Sequence, residues 1–290
     1  MKPILVVVHI YYLHLWLELK KCIQNIEPYP FELYVTMTEK VPDIEKDIRQ
    51  TFPKAVVEIV ENRGYDIAPF LHVLKKINLD DYSYIVKLHT RRDLSKIENF
   101  RNMVSSDWRT KLLSPFSTKT IFEEYIKSFE KYSHIGMQAH YQCIIHHDTY
   151  DPPARRALKK FLKQHNLPRI RHAFVGGTIF IMRAHLFKTI QDLNIDLSDF
   201  SESTTQDGKH PTQLAHVIER FLGHTIYQQG YVISDGIVSM KKQWLYHQKI
   251  YLSFLVSPVI RLFYEKRITV SGRLLIRIFR IPILNKKIYD

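Results

Sequence analysis

The chain has 290 residues, 45% of them hydrophobic and 24% charged, with a formal net charge of +13. That is enough apolar material for one large domain or two small ones, and the absence of repeats and low-complexity tracts excludes a fibrous or disordered chain. Cys22 and Cys143 stand far apart, which excludes a zinc ribbon and a disulfide scaffold and suits a reducing compartment.

Ile4–Ile10 is a continuous apolar run and predicts a buried strand. No small-residue cleavage site follows it before Glu18, Lys20 and Lys21, so it reads as fold and not as a secretory signal. Residues 15–26 predict a helix, 31–37 a strand, 43–52 a helix stopped by Pro53, and 55–60 a third strand. A helix from Asp66 to Ile77 follows, with Pro69 in its first turn, then a strand over 84–88. Three strand-then-helix units in this stretch predict an α/β layer fold with a mostly parallel sheet.

Further on, the pattern predicts helices over 121–132 and 155–166, strands over 135–138 and 174–182, and a helix over 211–222. No run reaches the roughly 18 apolar residues of a membrane-spanning helix. The expected protein is therefore cytoplasmic, soluble or peripheral on the inner face of the cell membrane. From Lys241 onward eleven lysines and arginines meet only Glu265 and Asp290, a net +9 that leaves +4 for the first 240 residues. Large side chains such as Trp244, Tyr251, Phe254 and Phe263 interleave these charges. The reading is a globular domain over 1–240 and a basic amphipathic helical tail over 241–290. Such a tail either contacts an anionic membrane surface, at about 1 kcal/mol per engaged basic residue, or packs on the core. We favour the membrane. Nucleic acid is not expected as a partner, because no RNP, KH or zinc signature accompanies the charge.

Four segments carry chemistry. Asn62-Arg63-Gly64-Tyr65-Asp66 ends a predicted strand and opens a helix, at the edge where α/β sheets bind ligands. Its helix N-terminus offers free N–H groups to an anion, and Gly64 permits a tight turn. Asp66 either caps the helix or bonds a ribose or base. Lys87, His89 and Arg91 share strand periodicity at the next strand end, which suits a diphosphate or, equally, a solvated basic turn. Gly176-Gly177-Thr178 marks close backbone approach by a substrate or by another strand. Asp207 at a loop-to-helix junction, with Glu219 on the helix beyond, is a candidate general base; an ion-paired surface helix is the alternative. His146, His147 and Asp148 lack metal-ligand spacing, and no Gly-x-Ser-x-Gly elbow exists, so neither a zinc site nor a hydrolase triad is indicated.

In order and spacing, these segments resemble the rhamnan synthesis protein F family of lipopolysaccharide and capsule biosynthesis. The matching pieces are His9-Ile10-Tyr11-Tyr12, residues 31–36, Asn62 to Phe70, Lys87-Leu88-His89-Thr90, Asp107-Trp108-Arg109, residues 176–180, and Asp207-Gly208 with residues 216–220. Arg91-Arg92-Asp93 stands where the family often has Lys-Lys-Ser, and Lys209-His210-Pro211 departs from the family's run after Asp207-Gly208.

The resemblance implies a GT-A-type glycosyltransferase, with a Rossmann-like sheet, that moves rhamnose from dTDP-rhamnose to a lipid-linked saccharide with inversion. On that reading His9, Tyr11, Tyr12 and Thr36 line the nucleotide pocket, and Asn62, Arg63, Gly64 and Asp66 contact the nucleotide. Lys87, His89, Thr90 and Arg91 hold the diphosphate where related enzymes carry Asp-x-Asp. A divalent cation, Mg²⁺ or Mn²⁺, is thus not indicated. Gly176, Gly177 and Thr178 shape the sugar and acceptor site, and Asp207, with Glu219 second, is the catalytic base. A catalytically silent scaffold in polysaccharide assembly is the alternative.

Overall fold

The computed structural model describes residues 2–92, 107–146, 152–203 and 213–249, together with 264–268, 273–278 and 281–287. It divides into two compact units, residues 1–91 with 111–238, and residues 92–110 with 239–290.

The first unit is built on seven strands: β1 (Ile4–Ile10), β2 (Phe31–Met37), β3 (Val56–Ile59), β4 (Tyr84–His89), β5 (Ile135–Gln138), β8 (Phe180–Arg183) and β9 (Val232–Ser234). They lie in the order β3-β2-β1-β4-β8-β5-β9. Only β8 runs against the others, pairing antiparallel with β4 and with β5. The mostly parallel α/β sheet expected from the sequence is therefore present. Every residue of β1 is buried, as a central parallel strand covered on both faces must be. Helices α1 (Trp16–Gln24), α2 (Pro42–Thr51) and α3 (Ile67–Leu74) supply the crossovers between the parallel strands. Phe70 on α3 meets Phe180 and Phe187 edge-on at 6.1 and 5.9 Å, which ties the crossover layer to the reversed strand.

The strand expected over 174–182 is two strands. β7 (Ala173–Val175) pairs with β6 (Ile144–His146) in a separate ribbon, and β8 enters the main sheet. Between them Gly177 and Thr178 have φ of +80° and +50°, a left-handed turn that no strand continues through. The helix Leu214–Gln228 packs backbone to backbone on this ribbon, since a Cβ on Gly223 would lie 2.1 Å from the Ala173 carbonyl oxygen. That contact sets the height of Glu219, one turn earlier.

The second unit corrects the helical tail. Residues 240–249 are helical, but β10 (Tyr264–Ile268), β11 (Arg273–Ile278) and β12 (Ile281–Lys287) form an antiparallel sheet. The physical reason lies in the period: Leu274, Ile276 and Ile278 alternate with Arg273, Leu275 and Arg277, and period two with branched residues favours strands. No helix among the described residues is long and apolar enough to cross a membrane.

Candidate active site

At the carboxyl edge of β1 and β4 the chain closes a buried polar cluster. Lys87 is 1% exposed, and its ammonium donates to Asp66 Oδ2, to Thr178 Oγ1 at 3.0 Å and to the Thr178 carbonyl at 3.2 Å. The Thr178 hydroxyl also donates to Asp66 Oδ2. His89 Nε2 lies 2.7 Å from the Gly177 carbonyl and 3.7 Å from Asp66 Oδ2. The Lys87 ammonium stands 5.4 Å from the Phe70 ring centroid. Asp66 occupies the N-cap position of α3 without capping it. Of the two readings open to it, the structure replaces the cap with an ion pair to Lys87. Burial would raise the Asp66 carboxyl, but the pull of His89 and Lys87 and the hydrogen bonds from Lys87 and Thr178 outweigh it and hold the group well below the carboxylate range.

Residues 62–66 form the outer wall. Gly64 and Tyr65 are both left-handed, with φ of +61° and +55°. Glycine is required at the first, since an added Cβ would sit 2.5 Å from the Phe200 ring. Tyr65 is held there by several partners: its N–H donates to Ser203 Oγ at 2.8 Å, and its hydroxyl donates to Gln213 Oε1 at 3.2 Å. Its ring stacks on His216 at 5.8 Å. Asn62 Nδ2 donates to the Ser203 carbonyl at 3.1 Å, and Arg63 donates to the Phe200 carbonyl at 2.9 Å. Both side chains therefore position this wall.

The β1 edge is built by register. His9 lies opposite Thr36 on β2 and opposite His89 on β4, and His9 Nδ1 is 3.0 Å from Thr36 Oγ1. Thr90 Oγ1 accepts the Tyr11 and Tyr12 N–H groups at 2.8 and 2.9 Å, which fixes the turn leaving β1. Arg91 lies past the end of β4, and its Nε is buried without a hydrogen-bond partner among the described residues. On the opposite wall, Glu219 Oε1 accepts the Gly177 N–H at 2.9 Å, with His216 at 3.8 Å and Arg220 at 3.7 Å from its other oxygen. Burial would raise Glu219, yet the neighbouring His216, the Arg220 charge and the Gly177 N–H hold it below the ordinary value. Gly176 faces Ile145, whose Cδ1 would lie 2.4 Å from an added Cβ.

The structure thus brings together Asp66, Lys87, His89, Gly177, Thr178 and Glu219, and on the β1 side His9, Tyr11, Tyr12, Thr36 and Thr90. Asp207, His147 and Asp148 lie outside the described residues. Ser203 and Gln213, which flank the Asp207 segment and both grip Tyr65, carried no signal in the sequence. Among the described residues no three His, Cys, Asp or Glu side chains converge as metal ligands.

Burial pushes the imidazoles down, His9 to about 3 and His89 to about 4. Below an ordinary pKa near 6.5 the unfolded chain takes up protons that the folded chain refuses, so stability rises with pH in this window. Lowering the pH from 7 to 5 should therefore cost up to about 1.4 kcal/mol per pH unit for each imidazole. Urea midpoints measured across that range should fall less steeply in His89→Gln; parallel slopes would contradict it.

Parallel strands end here in a closed polar cluster walled by two left-handed turns, at the carboxyl edge where open α/β sheets in general bind ligands. The family model for rhamnan synthesis protein F matches residues 1–231. The chain belongs to that family. It is 25% identical over 232 residues to the uncharacterized protein WxcX of Xanthomonas campestris pv. campestris, in each of two strains. The match covers 79% of this chain and 32% of WxcX, so the chain spans about a third of the length of these curated relatives. Among solved structures it is similar to glucosyl-3-phosphoglycerate synthase from Mycobacterium tuberculosis, in complex with Mn²⁺, UDP and glucosyl-3-phosphoglycerate. The two share 11% identity at a TM-score of 0.34, over 98% of this chain and 90% of that one.

Proposed function

We propose that the protein is a glycosyltransferase of bacterial surface-polysaccharide synthesis, taking a sugar from a nucleotide-sugar donor. The donor in this reading is dTDP-rhamnose and the acceptor a lipid-linked saccharide at the inner face of the membrane, with inversion at the transferred carbon. One observation carries it: the family-matched segments, far apart in sequence, meet at one sheet edge through Asp66, Lys87, His89 and Thr178. The sheet order, with its single reversed strand, is compatible with a GT-A-type fold.

In this reading the Tyr11–Tyr12 turn, set by Thr90, and His9 with Thr36 border the nucleotide. Arg91, whose Nε has no partner among the described residues, meets the leaving diphosphate. Lys87 acts at one remove: its charge is spent on Asp66, and the pair fixes the Gly177–Thr178 turn where sugar and acceptor lie. Asp207 takes the proton of the acceptor hydroxyl, and Glu219 holds the Gly177 N–H. The tail, now a helix and three strands, keeps its proposed contact with an anionic membrane surface.

The test is a panel of nucleotide sugars given to purified protein, with mass detection of the released nucleotide and product, with and without EDTA. Turnover of dTDP-rhamnose above the other donors is expected, with much of it surviving EDTA. Failure of every donor while dTDP still binds by calorimetry would favour the scaffold.

A further inference from the structure

Between Asp151 and Asp192 the chain carries no acidic residue, while seven lysines and arginines fall in residues 155–171. Five of these, Arg155, Arg156, Lys159, Lys160 and Lys163, lie on the helix Pro152–Gln164 and are all exposed. None of the five has an ion pair or side-chain hydrogen bond among the described residues. The apolar positions Ala154, Leu158, Phe161 and Leu162 are buried against the fold. An uncompensated row of cations on a well-packed helix repels itself, so its charge serves a partner.

The partner's chemistry is given by what lies beside the row. A groove of about 450 Å³ runs along the helix, with Arg156 and Lys160 on its lining beside Ala157, Phe161, Leu214 and Val217. Cations next to an apolar groove match an amphiphile with an anionic head and a hydrocarbon body. A single-stranded nucleic acid would want exposed aromatic rings among the charges, and the one aromatic residue of this helix, Phe161, is buried. Leu214 and Val217 begin the helix that carries Glu219, and Phe161 packs on Phe221 of that helix at 5.2 Å. The groove and the Gly177 turn thus share one rigid element.

We propose that the exposed basic face of the helix Pro152–Gln164 docks the protein on an anionic phospholipid surface, with the adjoining groove receiving hydrocarbon. The purpose of this docking, though not the docking itself, rests on the proposed transfer to a lipid-linked acceptor. It is independent of the tail, because the cations and the groove belong to the first unit.

The test is cosedimentation of the full chain with phosphatidylglycerol-containing and pure phosphatidylcholine vesicles at low and high salt. The comparison is Arg155→Gln/Arg156→Gln/Lys159→Gln/Lys160→Gln, four exposed changes that should leave circular dichroism unmoved and the thermal midpoint no lower. The variant should bind anionic vesicles at least about tenfold more weakly, with the wild-type preference for anionic lipid weakening as salt rises. Leu214→Gln should remove part of the salt-resistant binding. Equal binding by variant and wild type would overturn the proposal, as would indifference of the wild type to lipid charge. Tighter binding of an RNA oligonucleotide, lost with the same four changes, would also overturn it. Turnover with a soluble acceptor should be the same in both proteins, and its absence in both, beside an intact vesicle difference, would count against the transferase reading alone.

Discussion

Replacing Asp66 by Ala is expected to destabilise the protein by about 3–5 kcal/mol, because it leaves the Lys87 ammonium buried with no counter-ion. Lys87 is 1% exposed and, among the described residues, hydrogen-bonds only the neutral oxygens of Thr178 besides Asp66, so water cannot take over the lost carboxylate. Lys87→Met leaves Asp66 without its cation and should also cost stability, but less, since Asp66 is 15% exposed, keeps the Thr178 hydroxyl and can take up a proton. The double variant Asp66→Ala/Lys87→Met should regain a good part of the loss, as removal of a whole buried pair is often neutral. Chemical denaturation of the three variants measures this directly. A loss no larger for Asp66→Ala than for Lys87→Met would mean that Lys87 simply deprotonates. In acid the sign follows from the lowered Asp66 carboxyl: its contribution is present above the unfolded value near 3.9 and fades as pH falls below it. If the cluster also orients the Gly177 turn for transfer, the double variant should be folded yet inactive.

Asp207→Asn should keep fold and donor affinity while lowering turnover by roughly 10²–10⁴-fold, the usual contribution of a positioned base. Asp207 itself lies outside the described residues, and the nearest described partners on either side of it in sequence are anchored at the site. Ser203 accepts the Tyr65 N–H and Gln213 accepts the Tyr65 hydroxyl, so both flanks of the segment are tied to the 62–66 wall. Glu219→Gln should be milder, for a glutamine oxygen can still accept the Gly177 N–H. Steady-state kinetics with the best donor, beside calorimetry with dTDP, separates the roles. A dead Glu219→Gln beside an active Asp207→Asn would move the base to Glu219. Two active variants would show that the acceptor proton leaves by another route.

Much of the order and type of the elements in the first unit was legible in the sequence, because continuous apolar runs and helical periodicity answer to local burial. β1, β2 and β5 begin and end where the runs over 4–10, 31–37 and 135–138 do. β6 and β9 were not legible: each has three residues, too few for a period, and each exists through its neighbours. The strand expected over 174–182 failed for a related reason. Gly176-Gly177 signalled an irregularity, but the left-handed φ of Thr178, which divides the run between two sheets, is imposed by Lys87 and Asp66 from distant segments.

The tail was misread because net charge and residue size were weighed over period. Its strand alternation was present in residues 273–278 all along. The site divides in the same way. The residue types at Asp66, Lys87, His89 and Gly177 pointed to a polar sheet edge, since backbone freedom and charge are carried by single residues. That Lys87 spends its charge on Asp66, that Glu219 holds the Gly177 N–H, and that Ser203 and Gln213 clasp Tyr65 are pairings over 21 to 148 positions of chain. Only the packed sheet, which buries an ammonium so deeply that it must find its carboxylate, decides such pairs.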